Sequence, residues 1–282
     1  MKRLRNRPWC VCICMAAMAG GCRPAGTGEA TAASAARGAA SPSYHAAAVV
    51  DLLGGDTHVL RLAEPGMCPG HFDIRPSQVD ELRRCRLLLR FDFQSSMDGR
   101  LANLTKRGLS IGVIRPPGGL CEPASYREIC RQVADALVAT DLCVRPAADA
   151  RLAEIEARVR EREAWCRRQV AEADWAGKAV VCSAHQEGFC RWLGLSVAAT
   201  FSGADTASIG QIEDAIRQSE RARVRLVIAN LPEGRRLADA LAKRLGVGVI
   251  VFGNFPTMRP DQSTFDDLLT ANVSELVRAA NP

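Results

Sequence analysis

Residues 64–79 read EPGMCPGHFDIRPSQV and set Cys68 and His71 three apart in a turn rich in Pro and Gly. The same spacing recurs far downstream, where VVCSAHQEGF carries Cys182 and His185. Thiolate sulfur and imidazole nitrogen are good donors for a soft or borderline metal ion, so the two stretches pose the question of whether they meet around one ion. They do not enter on equal terms. Cys182 lies inside an apolar run that reads as a strand, three residues back from His185. It is expected to face the core, which leaves it a secondary candidate. His45 and His58, the other two of the four histidines, read as surface groups, and Glu122 and Glu187 as solvated or capping carboxylates.

Alternating elements are needed to position these residues, and the chain supplies them. A helix ends at 49–55, a short strand follows at 58–62, and Ser77 is a good N-cap for a helix with Val79, Leu82 and Cys85 on its apolar side. Strands are expected at 86–93 and 110–114, with helices at 101–106 and 125–139. Past Pro146 a highly charged helix of about 25 residues carries Leu152, Ile155, Val159 and Trp165 at helical spacing, longer than a globular helix usually is. The second half repeats the rhythm, with strands at 178–183, 195–200, 223–229 and 248–252 and helices at 186–193, 209–220, 233–245 and 264–280. Such βαβ alternation predicts an α/β fold of two lobes, each with a small, mostly parallel sheet flanked by helices, joined by one long helix. Ligands of such sheets bind beyond the carboxyl ends of the strands, where His185 and Asn254 stand.

The first 22 residues, MKRLRNRPWCVCICMAAMAGGC, combine early basic residues, a short apolar stretch and small residues before Cys22. This is the pattern of a secretory signal, too short to span a bilayer. Its AGGC ending resembles a bacterial lipobox, which makes Cys22 the expected lipidation site and N-terminus of the mature chain. Residues 23–43, mostly Ala, Gly, Ser, Thr and Pro, read as a flexible tether. Loss of the signal takes the formal charge from +6 to +2, because Lys2, Arg3, Arg5 and Arg7 leave without any acidic residue. Nucleic-acid binding thereby loses its electrostatic support. No later stretch has the ~20 apolar residues of a membrane helix, so lipid would be the only membrane anchor. Of the 12 cysteines, eight lie beyond Cys22 with no Cys-x-x-Cys among them. Cys85, Cys130, Cys143, Cys166 and Cys190 read as small buried thiols. The domains expected are the signal at 1–22, the tether at 23–43, an N-terminal lobe at 44–146, a linking helix at 147–174 and a C-terminal lobe at 175–282.

Two of the segments also carry a family likeness. Pro65-Gly66 followed by PGHFDIRPS at 69–77, together with VCSAHQEGF at 181–189 and its WLGL ending at 192–195, resembles the zinc- and manganese-binding solute-binding proteins of bacterial ABC importers. The order of lobe, long helix and lobe agrees, and the similarity spans roughly 44–282. The resemblance implies one metal ion in a cleft between the lobes, with His71 as first ligand and His185 as third. The segment due to carry the second ligand, GGLCEP at 118–123, has no His, and FGNFP at 252–256 stands where the family has a carboxylate. The family's first strand has no counterpart, since the tether runs almost directly into the helix at Tyr44, and the His-rich loop of many zinc members is absent.

Cys121, next to the missing His, and Cys68 are expected to replace the lost donors, giving a site of Cys68, His71, Cys121 and His185. Asn254 is a weaker oxygen candidate, and a Cys68–Cys121 disulfide is the alternative for the two thiols. Two thiolates would cancel a dication and suit Zn²⁺, with Cu⁺ behind it and Mn²⁺, which prefers oxygen, disfavoured. The expected protein is a monomer, lipid-anchored on the periplasmic side of the cell envelope. It captures Zn²⁺ by lobe closure and hands it to an ABC permease in the inner membrane, without catalysis. The rival readings are an exported zinc-dependent hydrolase with Glu187 as base, a thiol oxidoreductase, and a lobed scaffold that binds no metal.

Overall fold

The computed structural model describes residues 37–40, 43–54, 57, 59–63, 74–203, 206–257 and 262–280. Residues 36–282 form one compact unit that contains two four-stranded parallel sheets. The first comprises β1 (Arg37–Ala40), β2 (Val59–Arg61), β3 (Cys85–Phe91) and β4 (Ser110–Ile114) in the order β2-β1-β3-β4. The second comprises β5 (Ala179–Ser183), β6 (Ser196–Phe201), β7 (Leu226–Asn230) and β8 (Gly248–Phe252) in the order β6-β5-β7-β8. Strands covered on both faces must be apolar throughout rather than alternating, and β7 is buried along its whole length. In each sheet the connections diverge at a pair of central strands, β1 and β3 or β5 and β7, and a crevice opens there at the carboxyl ends.

Parallel pairing requires crossovers, and helices provide them. The first lobe has α1 (Ser43–Leu53), α2 (Pro76–Leu82), α3 (Asp98–Thr105) and α4 (Pro123–Ala139); the second has α6 (Glu187–Trp192), α7 (Ile209–Ala222), α8 (Arg236–Leu245) and α9 (Phe265–Arg278). Between them α5 (Arg145–Glu172) runs for 28 residues, or about 42 Å at 1.5 Å per residue. Its buried residues Ala148, Ile155, Val159, Cys166 and Val170 recur every four or seven positions and form one stripe. That stripe packs on α1 and α4 of the first lobe and α9 of the second.

Polar and aromatic contacts tie the same junction. Arg158 of α5 ion-pairs with Asp51 of α1 and, through Nε at 3.0 Å, with Asp266 of α9. Tyr126 donates to Asp51 Oδ2 at 2.5 Å, while its ring stacks on Phe265 with centroids 4.1 Å apart. Removing one partner from such a network leaves another unsatisfied, so the network holds the two lobes together at α5.

Three expectations change. The first strand is present: β1 lies inside the segment read as tether and pairs with both β2 and β3. Its sequence, RGAA, has no β-branched or aromatic residue to mark it. α2 starts at Pro76 rather than after a Ser77 cap, and Gln78 Oε1 accepts the Arg75 N–H at 2.9 Å. His45 is buried, not a surface group, with its ring 4.2 Å from that of Phe91. Among the cysteines expected in the core, Cys85, Cys130, Cys166 and Cys190 are buried thiols and Cys143 is half-buried.

Candidate functional site

β5 ends at Ser183 and the chain enters a 3-10 turn, Ala184–Gln186, that leads into α6. Ser183 Oγ accepts the His185 backbone N–H at 3.2 Å, which caps the turn and fixes where His185 leaves the sheet. The same hydroxyl donates to Glu233 Oε2. Glu233 ends the 3-10 turn Leu231–Glu233 that follows β7, so both side chains rise from the pair of strands at which the connections diverge. Glu233 Oε1 lies 3.8 Å from His185 Nε2, with the imidazole 64% exposed and the carboxylate 18%. Two such atoms bound to one zinc ion at about 2.1 Å and a tetrahedral angle stand about 3.4 Å apart, close to the 3.8 Å seen here.

These two donors face a cleft of about 490 Å³. From the first lobe it is lined by Phe93, Pro116, Gly118, Gly119 and Leu120, and from the second chiefly by His185, Glu187, Gly188, Glu233, Asn254 and Phe255. Among the described residues, the first-lobe lining therefore offers small and apolar groups. Glu187 pairs with Arg191 at 2.8 Å, the usual i,i+4 surface pair, which occupies the carboxylate expected of a hydrolytic base. Glu122 accepts the Gly119 N–H at 2.8 Å. A Cβ on Gly188 would lie 2.1 Å from Glu122 Oε1, so the absence of a side chain lets α6 sit against this carboxylate.

Behind the cleft a buried polar layer joins the lobes. Gln186 Nε2 donates to Asn230 Oδ1 at 3.0 Å and to Asn254 Oδ1 at 2.8 Å, linking the ends of β5, β7 and β8. The Cys121 thiol donates to Gly253 O at 3.0 Å and receives a long contact from Asn272 Nδ2. Cys121 is 1% exposed, and burial pushes its thiol well above the usual range, only partly offset by Asn272. Ser43 Oγ donates to Pro256 O at 2.7 Å, and Tyr44 Oη to Leu120 O at 2.8 Å, so α1 buttresses loops of both lobes.

The structure brings His185 and Asn254 into the cleft wall and leaves Cys121 out of the lining. Asn254 presents an amide whose oxygen is already engaged by Gln186. Cys182 is fully buried in β5, and its hydrogen bond raises the Cys190 thiol, with burial adding to the effect. Cys22, Cys68, His71 and His58 lie outside the described residues. Among the described residues no three His, Cys, Asp or Glu side chains converge as a metal cluster. Glu233 was not foreseen, although a carboxylate in a turn just past a central strand, NLPEG at 230–234, was the available signal.

A family model described as the periplasmic zinc-uptake complex component A, ZnuA, matches residues 120–279, more than half of the chain. The span includes Cys121, His185, Glu233 and Asn254 and begins after Cys68 and His71. No curated protein matches in sequence. Among solved structures, the manganese-bound form of a periplasmic metal binding protein from Candidatus Liberibacter asiaticus superposes with a TM-score of 0.72, and its cadmium-bound form with 0.73. Each is 14% identical, over 87% of this chain and 99% of the other. A crystal structure of ZnuA gives a TM-score of 0.71 at 12% identity, over 87% and 99% of the two chains. At these identities the likeness is one of fold.

Proposed function

Because the chain belongs to the family of the periplasmic zinc-uptake component ZnuA, metal-binding components of uptake systems rather than enzymes, we propose that it captures Zn²⁺ in the cleft beside His185 and delivers it to an ABC permease. The observation that carries this reading is the pairing of His185 Nε2 and Glu233 Oε1, 3.8 Å apart, both reaching the cleft from the carboxyl ends of neighbouring strands. The proposed ligands are His185 and Glu233 from the second lobe and His71 from the first, with Cys68 as a thiolate from the same segment as His71. Cys121 could join only by giving up its bond to Gly253 O and a proton that burial makes hard to remove. Glu233 takes its place in the set. A mixed nitrogen and oxygen shell with at most one thiolate favours Zn²⁺ over Cu⁺ and makes Mn²⁺ less disfavoured than two thiolates would.

Capture proceeds by the lobes closing on the ion, limited by α5 and the Asp51–Arg158–Asp266 junction, so that the permease distinguishes loaded from empty forms. The remainder of the reading is a monomer, lipidated at Cys22 and held by the segment before β1 on the periplasmic side of the envelope, with no nucleic-acid partner. Among the described residues no helix is long and apolar enough to cross a membrane. The test is zinc uptake by cells deleted for this chain and re-supplied with native or His185→Ala protein. Native protein restores uptake at low zinc and the variant does not; equal restoration by both contradicts the proposal. The absorption of the cobalt-substituted form reports whether Cys68 supplies a thiolate.

A further inference from the structure

We infer that the end of the first lobe opposite its crevice docks on anionic phospholipid headgroups and holds the anchored chain on the bilayer with the cleft turned away, which rests on the lipidation of Cys22 proposed above. The surface is built from two helix ends. Arg83 caps the carboxyl end of α2 and Lys106 that of α3. With Arg100 and Arg107 they line a concavity of about 410 Å³ between the two helices. All four side chains belong to exposed residues, and Arg84, next to Arg83, adds a fifth exposed cation. Arg83 pairs with Asp80 at 2.8 Å, but both are more than half exposed, and a surface pair of that kind yields to a phosphate at little cost. Near an anionic bilayer each Lys or Arg strengthens attachment about five-fold, so a cluster of this size binds where a single cation would not.

The topology selects the membrane as the partner. α2 ends at Leu82 just before β3 begins at Cys85, and α3 ends at Thr105 just before β4 begins at Ser110. The concavity therefore lies at the amino ends of β3 and β4. β1 runs parallel to β3 with Arg37 opposite Cys85, so the chain coming from Cys22 enters the lobe at this same end. Arg37 lies 15 residues after Cys22, a span of at most about 50 Å for an extended chain. A lipid on Cys22 thus keeps the basic end within reach of headgroups at high effective concentration, and contacts too weak to recruit a free protein suffice. Their range is short, because salt screens charge beyond about 8 Å. The crevice opens at the carboxyl ends of the same parallel strands, so a lobe docked by its amino end presents the cleft to the surrounding solution.

Lysine acylation of the native lipidated protein, reconstituted on vesicles of phosphatidylcholine with or without phosphatidylglycerol, tests this. Beyond the signal the chain has three lysines, Lys106, Lys178 and Lys243, and Lys243, exposed on α8 of the other lobe, is the internal control. With a neutral acylating reagent and mass spectrometry, Lys106 should react at least about five-fold more slowly relative to Lys243 on the anionic vesicles. The ratio should return to its value on neutral vesicles in about 1 M salt. Arg107→Glu, a change of two charges at an exposed position, should remove most of the protection while Lys243 reacts as before. Equal rates at Lys106 on both kinds of vesicle overturn the inference and leave the anchor standing. Protection of Lys106 by inorganic pyrophosphate without vesicles, to the same degree, would make the concavity a small-anion site and also overturns it. A mature chain with no acyl mass on Cys22 overturns the anchoring reading and the docking with it.

Discussion

Ser183→Ala removes the one oxygen that serves both donors of the proposed site. The hydroxyl donates to Glu233 and accepts the His185 N–H, and the residue is fully buried, so water does not substitute for it. A hydrogen bond to a charged group contributes about 1.5–3 kcal/mol and a helix cap about 1 kcal/mol. Part of the first is recovered because Glu233, 18% exposed, reaches solvent. A net loss of about 2 kcal/mol is expected, or about 4–8 °C in Tm for a chain of this length. Residues that orient a metal ligand typically change affinity about 10–100-fold, or about 1.4–2.7 kcal/mol. Competition against a chromophoric zinc chelator measures the affinity, and urea unfolding the stability. In a Glu233→Gln background the same substitution should lose most of its effect on zinc, since the two share one hydrogen bond. Zinc affinity within about twofold of native for the single variant would mean that Ser183 orients nothing that the ion touches.

Other perturbations probe separate parts of the molecule. Asp51→Ala strips Arg158 of its closer partner and leaves the buried Tyr126 hydroxyl unsatisfied. With Arg158 partly solvated, about 3 kcal/mol of stability should be lost in urea unfolding, and Tyr126→Phe alone should cost about 1 kcal/mol. Burial lowers His45 from its ordinary 6.5 to about 3. Below the ordinary value the unfolded chain takes up a proton that the folded chain refuses, so stability present above pH 6.5 is lost on acidification. The slope is about 1.4 kcal/mol per pH unit from this residue, and His45→Phe should remove it from urea midpoints measured across that range. Cys121→Ser retains the donor to Gly253 O and should leave zinc stoichiometry and the cobalt spectrum unchanged; a lost thiolate band would restore Cys121 as a ligand. Gly188→Ala forces Glu122 aside, whereas in a Glu122→Ala background the same change should stabilise by about 0.5–1 kcal/mol in thermal unfolding, as expected of Gly to Ala in a helix.

Most of the architecture was legible because parallel strands buried on both faces are unbroken apolar runs, as in LVIAN of β7 and VVCS within β5. The helix α5 declared itself by length and by a stripe of buried positions among charges. β1 was not legible: four residues of Arg, Gly and Ala look like the tether around them, and only pairing with β2 and β3 defines them. His185 was legible from its place just past a strand. Glu233 was not, because its role depends on two strands that are neighbours in space but separated in sequence by β6 and α7. Cys121 illustrates the converse. Its place beside the histidine missing from the family pattern suggested a ligand, while tertiary packing turns the thiol toward Gly253 O at the joint of the lobes.

A metal ion held in this cleft depends on the His185 imidazole. Metal analysis of the chain purified under reducing conditions and loaded with zinc, native beside His185→Ala, tests it most directly. One zinc per native chain and only trace zinc in the variant are expected, with both folded by circular dichroism. Trace zinc in the native chain, or equal zinc in both, would contradict it.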